Sequence, residues 1–221
     1  MQVRHFIIAL ALAAGLATGL ARAGPAEDYT AGDAAYRRGD VRSAIASLRK
    51  AADAGHAKAQ VLLGSILEAS QQDADAARYL ALAADQGDAE GAYLLATLYS
   101  AGQGVDRDPA KARQLLEKAA AVGHRDSVFA IATAYLGGGL GLADADRASA
   151  QALAWIRKAA DGGHLPSLDR LALAYRKGEL GLTADAKMAE ELEARARSIR
   201  GITAKPEPAR KRPVVRMPGG G

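Results

Sequence analysis

Three of the four histidines in this 221-residue chain close the same kind of phrase: KAADAGH at 50–56, KAAAVGH at 118–124 and KAADGGH at 158–164. Imidazole is a common metal ligand, so His56, His124 and His164 raise the question of a shared ion. A metal needs its nitrogens about 2 Å away, whereas equivalent atoms on successively packed helices lie roughly 10 Å or more apart. That geometry points to turn and capping duty. The run Gly137-Gly138-Gly139-Leu140-Gly141 has the composition of a phosphate loop, but it joins helix to helix and no Gly-Lys-Ser/Thr follows. Serine, histidine and aspartate are present with no nucleophile elbow and no spacing that singles out a triad. The chain has no cysteine, which removes thiol nucleophiles, thiolate metal sites and disulfides. The expectation is a protein that is not an enzyme and carries no cofactor and no metal.

The phrase that ends in histidine is itself the stronger signal. With LAADQGD at 82–88 it occurs four times, at intervals of 32, 36 and 40 residues, and periods of this size mark stacked repeats. Hydrophobic residues make up 49% of the chain but aromatics only 5%, so alanine and leucine must form the core and the class is all-α. Asp108 and Pro109 open a helix as N-cap and first helical residue. On it Ala112, Leu115, Leu116, Ala119 and Ala120 follow the i, i+3, i+4, i+7, i+8 spacing of one buried face, and Gly123 ends it. The same offsets give Ala44, Leu48, Ala51 and Ala52, then Ala76, Tyr79, Leu80, Ala83 and Ala84, then Ala152, Trp155, Ile156, Ala159 and Ala160. After each ending glycine a second helical pattern begins. Its core face is Gln60, Leu63, Gly64, Leu67, then Ala92, Leu95, Ala96, Tyr99, then Val128, Ile131, Ala132, Tyr135, then Leu168, Leu171, Ala172, Tyr175. A small residue stands third in every set, where two helices of a hairpin approach most closely.

The combined pattern, A-x-x-x-L-G/A-x-x-Y-x-x-G-x-G-V, then D-x-x-K-A, then an aromatic or Leu before K-A-A-x-x-G-H, resembles the Sel1-like repeat, a relative of the tetratricopeptide repeat. Residues 89–124 match nearly throughout, with Gly102, Gly104, Val105, Asp108, Lys111 and Ala112 in place; residues 125–164 match with a longer loop and Trp155 at the aromatic position. Residues 57–88 lack the G-x-G-V loop, and 26–56 and 165–200 are degenerate. The resemblance implies a right-handed α-solenoid of about five stacked antiparallel helix hairpins. Solenoid ends must face water, and Arg197, standing where Ala160 stands one repeat earlier, fits a cap.

The two ends differ from this body. Arg4 and His5 precede an apolar run from Phe6 to Leu20 and then Ala21-Arg22-Ala23, the arrangement of a cleavable signal peptide with cleavage after Ala23. The run is shorter than the ~20 residues needed to span a bilayer. The expected organisation is a signal peptide at 1–23, a repeat domain at 24–200 and a disordered Pro/Gly-rich tail at 201–221, with the mature protein periplasmic or secreted. Of 29 basic and 25 acidic residues, Arg4 and Arg22 lie in the leader, and Lys205, Arg210, Lys211, Arg212 and Arg216 oppose only Glu207 in the tail. The body is therefore near neutral and the tail basic. The tail has no aromatic residue for base stacking, which argues against nucleic acid, and its charge suits peripheral contact with anionic membrane components.

Sel1-like proteins of bacteria often organise envelope or exopolysaccharide secretion complexes. The resemblance thus implies a scaffold that holds another envelope protein or peptide, with a receptor for a glycan or small ligand as the alternative. In tetratricopeptide-like stacks the first helix of each hairpin lines the concave face. Helix periodicity turns Glu90, Tyr93 and Thr97 away from the core in one repeat and Asp126, Phe129 and Thr133 in the next, so these six residues are the expected partner-binding set. Tyr93 and Phe129 either form an aromatic strip or pack between neighbouring helices, and the loop from Gly137 to Ala145 is the next candidate site.

Overall fold

The structure is a computed structural model that describes residues 24–201; the leader and residues 202–221 of the tail lie outside the described residues. Among the described residues ten α-helices follow one another: α1 (Pro25–Arg37), α2 (Val41–Asp53), α3 (Ala57–Ala69), α4 (Asp73–Asp85), α5 (Ala89–Ala101), α6 (Pro109–Ala121), α7 (Arg125–Gly137), α8 (Ala150–Asp161), α9 (Leu165–Lys177) and α10 (Ala186–Ile199). A short 3-10 turn, Asp144–Ala148, lies between α7 and α8. Each odd-numbered helix packs on the even-numbered one that follows it, and each hairpin packs on the next. The fold is the expected all-α stack of five helix hairpins.

The repeat phrase accounts for the close packing. Ala51, Ala52, Ala83, Ala119, Ala120, Ala159 and Ala160 are buried at the ends of the even helices, where Gly91 of α5 packs on Ala83, and the small residues Ala96, Ala132 and Ala172 of the odd helices are buried as well. Larger side chains fill the space between: Leu48, Leu63, Leu67, Leu80, Ile131, Ile156 and Leu168 are almost wholly enclosed, each contributing about 1.5–3 kcal/mol by burial. Helix starts are set by side-chain acceptors. Asp40, Asp88, Asp108 and Asp185 cap α2, α5, α6 and α10 by accepting a backbone N–H three residues on, which satisfies one of the donors a helix leaves unpaired at its first turn.

Both ends depart from the repeat in a way that closes the stack. The third residue of the inner odd helices is small and buried, as with Ala59, Gly91, Ser127 and Ser167, because the preceding hairpin packs on it. On α1 that place is Glu27 and the next is Asp28, so a hairpin stacked against α1 would bury two carboxylates. At the other end Arg197 is exposed, as a capping position requires.

Candidate functional site

Helices α5 and α7 are the first helices of neighbouring hairpins, and their capping residues tie the hairpins together. Asp88 accepts the Gly91 N–H at 3.0 Å and also meets the Lys58 ammonium of α3 at 2.8 Å. Burial pushes the Asp88 carboxyl up, but Lys58 and the Gly91 N–H outweigh it and hold the group below its ordinary range. His124 takes the equivalent place before α7. Its Nδ1 accepts the Ser127 N–H at 3.2 Å, so its proton sits on Nε2 and is donated to Glu90 Oε2 of α5 at 2.9 Å. His56 caps α3 the same way, accepting from Ala59 N–H at 3.1 Å. His164 bonds the Ser167 hydroxyl at 2.8 Å instead of a backbone N–H.

Each of these imidazoles also lies on a ring from the hairpin before it. Tyr29 stacks on His56 at 4.7 Å, Tyr93 meets His124 at 5.1 Å, and Phe129 stacks on His164 at 4.8 Å. The three rings are the fifth residues of α1, α5 and α7. Where the next cap is Asp88 instead of a histidine, the fifth residue of α3 is Val61 and the second is Lys58. The sequence contains this pairing of aromatic with histidine and lysine with aspartate; the one-repeat offset that makes the partners neighbours had to be seen.

The six expected residues divide into three groups. Glu90 and Asp126 are exposed on the first turns of α5 and α7. Tyr93, Thr97 and Thr133 line a cleft of about 390 Å³ between those helices. Phe129 is not among its lining residues: it packs toward α8, where a Cβ placed on Gly162 would stand 2.9 Å from the ring. The two aromatics therefore do not run as one uninterrupted strip, since each is half-buried against an imidazole. The cleft is completed by residues outside the expected set, with Leu116 and Ala130 as apolar walls and Gly138, Gly139 and Leu140 as one rim. That rim is the start of the long loop ranked second from the sequence, brought against the first site by the end of α7. Of the cleft hydroxyls, Thr97 donates to the Leu94 carbonyl at 2.7 Å and Thr133 faces His164 Nε2 at 3.4 Å. Burial, then Asp126 and Glu90, push the Tyr93 phenol above its usual value. Arg125 partly offsets Asp126, with their charged groups 3.8 Å apart, and its guanidinium lies over the Phe129 ring.

This geometry is that of a small-residue repeat stack with a groove between first helices, and the chain belongs to the Sel1 repeat family. Residues 29–56, 57–88, 89–124, 126–164 and 166–195 each match the Sel1 repeat. Two solved structures share the fold with appreciable sequence identity. One is a protective antigen present in uropathogenic Escherichia coli strains, described as an SLR fold, with TM-score 0.70 and 28% identity over 79% of this chain and 38% of the antigen. The other is a Sel1 repeat protein from Oxalobacter formigenes, with TM-score 0.65 and 25% identity over 81% of this chain and 53% of that one. The chain thus spans about half or less of the length of these two relatives. A putative Sel1 repeat protein from Klebsiella pneumoniae shares the fold alone, at 20% identity and TM-score 0.50, with 80% of this chain and 88% of that one covered. No curated protein matches in sequence.

Proposed function

We propose that the protein is a non-enzymatic scaffold of the bacterial cell envelope that holds an extended segment of another protein in the cleft between α5 and α7. The cleft carries this reading: apolar walls at Leu116 and Ala130 with Leu140 at the rim, a half-buried tyrosine, and a carboxylate on the first turn of each helix that bounds it. A tyrosine beside an apolar pocket is the composition of an interface hot spot. Export to the periplasm is supported by the leader sequence, from Arg4 through Ala23, and Sel1 repeat proteins serve generally as interaction scaffolds. The hydroxyls of Tyr93, Ser100, Thr97 and Thr133 around the same cleft favour a glycan as the second reading.

The test is a photo-crosslinking amino acid at Thr97 or Thr133, compared with the same group at the exposed Leu82 on α4, in cells that produce the protein. A discrete protein adduct from the cleft positions and none from Leu82 is the expected result. Adducts from Leu82 alone, or none anywhere, refute the cleft as the docking site. Saturable oligosaccharide binding lost in Thr97→Trp, without any protein adduct, turns the assignment to the glycan.

A further inference from the structure

We infer that the cleft has a resident occupant in the chain itself: residues 212–217, Arg-Pro-Val-Val-Arg-Met. This rests on the cleft being the docking site proposed above, and it names the segment with which a partner must compete. The place where the described chain ends makes the first argument. The Arg200 guanidinium donates to the Asp169 carboxylate, and Asp169 is the fifth residue of α9, the place held by Phe129 on α7 and Tyr93 on α5. The last turn of α10 is thereby tied to the row of positions that borders the cleft. Two hairpin steps separate Asp169 from Tyr93, roughly 20 Å at the usual spacing of packed helices. The fourteen residues from Gly201 to Val214 can span about 45 Å when extended, so the segment reaches the cleft with slack.

Charge makes the second argument. Lys205, Arg210, Lys211, Arg212 and Arg216 face one opposing charge, Glu207, in residues 202–221. The cleft has no charged residue in its lining, and Glu90, bonded to His124, and Asp126 stand on the first turns of the two helices that bound it. Arg125 pairs with Asp126 and its guanidinium lies over the Phe129 ring, outside the cleft's lining. Shape makes the third. Val214 and Val215 stand between Arg212 and Arg216, an apolar pair flanked by cations, and the cleft is a largely apolar groove with one carboxylate on the first turn of each helix that bounds it. Pro213 favours the extended backbone such a groove accepts. Covalent linkage raises the local concentration of the segment to the millimolar range, which makes a weak contact sufficient for occupancy and lets a tighter partner displace it.

Because the chain has no cysteine, Pro218→Cys offers a single attachment point for a nitroxide next to the docking segment in the otherwise complete chain. At low salt the amide signals of Thr97, Thr133 and Leu140 should lose most of their intensity relative to the reduced label. Arg212→Glu with Arg216→Glu, which alters no residue of the ten helices, should restore them. Broadening confined to α9 and α10 overturns the inference, as does broadening that survives the double reversal. Transfer of the segment to phosphatidylglycerol vesicles with the cleft signals never broadened assigns the tail to lipid and likewise overturns it. A partner adduct at Thr97 without tail broadening keeps the docking site and removes its resident; broadening without any intermolecular adduct does the reverse.

Discussion

A ring nitrogen that accepts a hydrogen bond carries no proton, so His56 and His124 cap their helices through a bare Nδ1. His124→Asn keeps a side-chain acceptor for the Ser127 N–H but loses the Tyr93 ring contact and Glu90, whereas His124→Ala loses all three. The alanine variant should be the less stable of the two by about 1 kcal/mol, measured by urea unfolding. Equal stability of the two variants would show that the cap contributes nothing. His164 gives a pH signature. Burial holds its pKa below the ordinary 6.5, so as pH falls through 6.5 the unfolded chain takes up the proton before the folded one does. Stability is therefore intact above that pH and declines as the pH drops toward the depressed folded value. His164→Gln should flatten the decline between about pH 7 and 5, and an unchanged slope would remove His164 from the account. The capping role of His56 and His124 was legible in the phrase that ends with them, since each follows a helix-ending glycine and precedes a helical run, while His164 in the same phrase bonds the Ser167 hydroxyl instead. Their second role was not. Sequence periodicity turned Tyr93 and Phe129 outward from their own helices, and only the inter-hairpin distance shows that an imidazole waits there.

At the scale of elements, the loop between α5 and α6 shows what a motif conceals. Gly104 of the G-x-G-V run has φ +67°, and a Cβ there would lie 2.2 Å from the Asp73 carbonyl carbon and 2.5 Å from Ala74 N, at the first turn of α4. Two backbones meet at this point, and neither can step aside as a side chain could. Gly123, after α6, has φ +91° but open space around it. Gly104→Ala should cost on the order of 3 kcal/mol, at the upper end of local backbone strain, and Gly123→Ala about 1 kcal/mol from the left-handed conformation alone. Thermal denaturation of the two variants checks the ranking, and a reversed order would mean that the loop yields. Helix identity, hairpin pairing and the small-residue faces were legible because each is a local period repeated in register. The cleft was half legible: Tyr93, Thr97 and Thr133 came from one helix period, but Leu116 and the Gly138–Leu140 rim belong to it through packing between helices, which no period along the chain reports.

Across the whole molecule each hairpin touches chiefly its neighbours in sequence, so stability is a chain of adjacent couplings. Hairpins at the ends have one such coupling and inner ones have two. Native-state hydrogen exchange should accordingly show α5 and α6 more protected than α1 and α10, and uniform protection would mean a single cooperative unit. The boundary pairs also restrict how such a chain can change its length. Tyr93 with His124 and Phe129 with His164 follow one rule, so a copy of the α5–α6 hairpin inserted after itself would bring an aromatic to the next histidine and keep the seam intact provided that its own first cap were histidine too. The α3–α4 hairpin obeys a different rule, Lys58 and Val61 against Asp88. Placed before His124, it would set an ammonium where the Glu90 carboxylate accepts the imidazole proton and leave the ring face without its stack. The seams therefore restrict which hairpin can precede which cap, and an unequal crossover that set the second hairpin before a histidine cap would yield a chain of correct helices with one seam stripped of its ring stack.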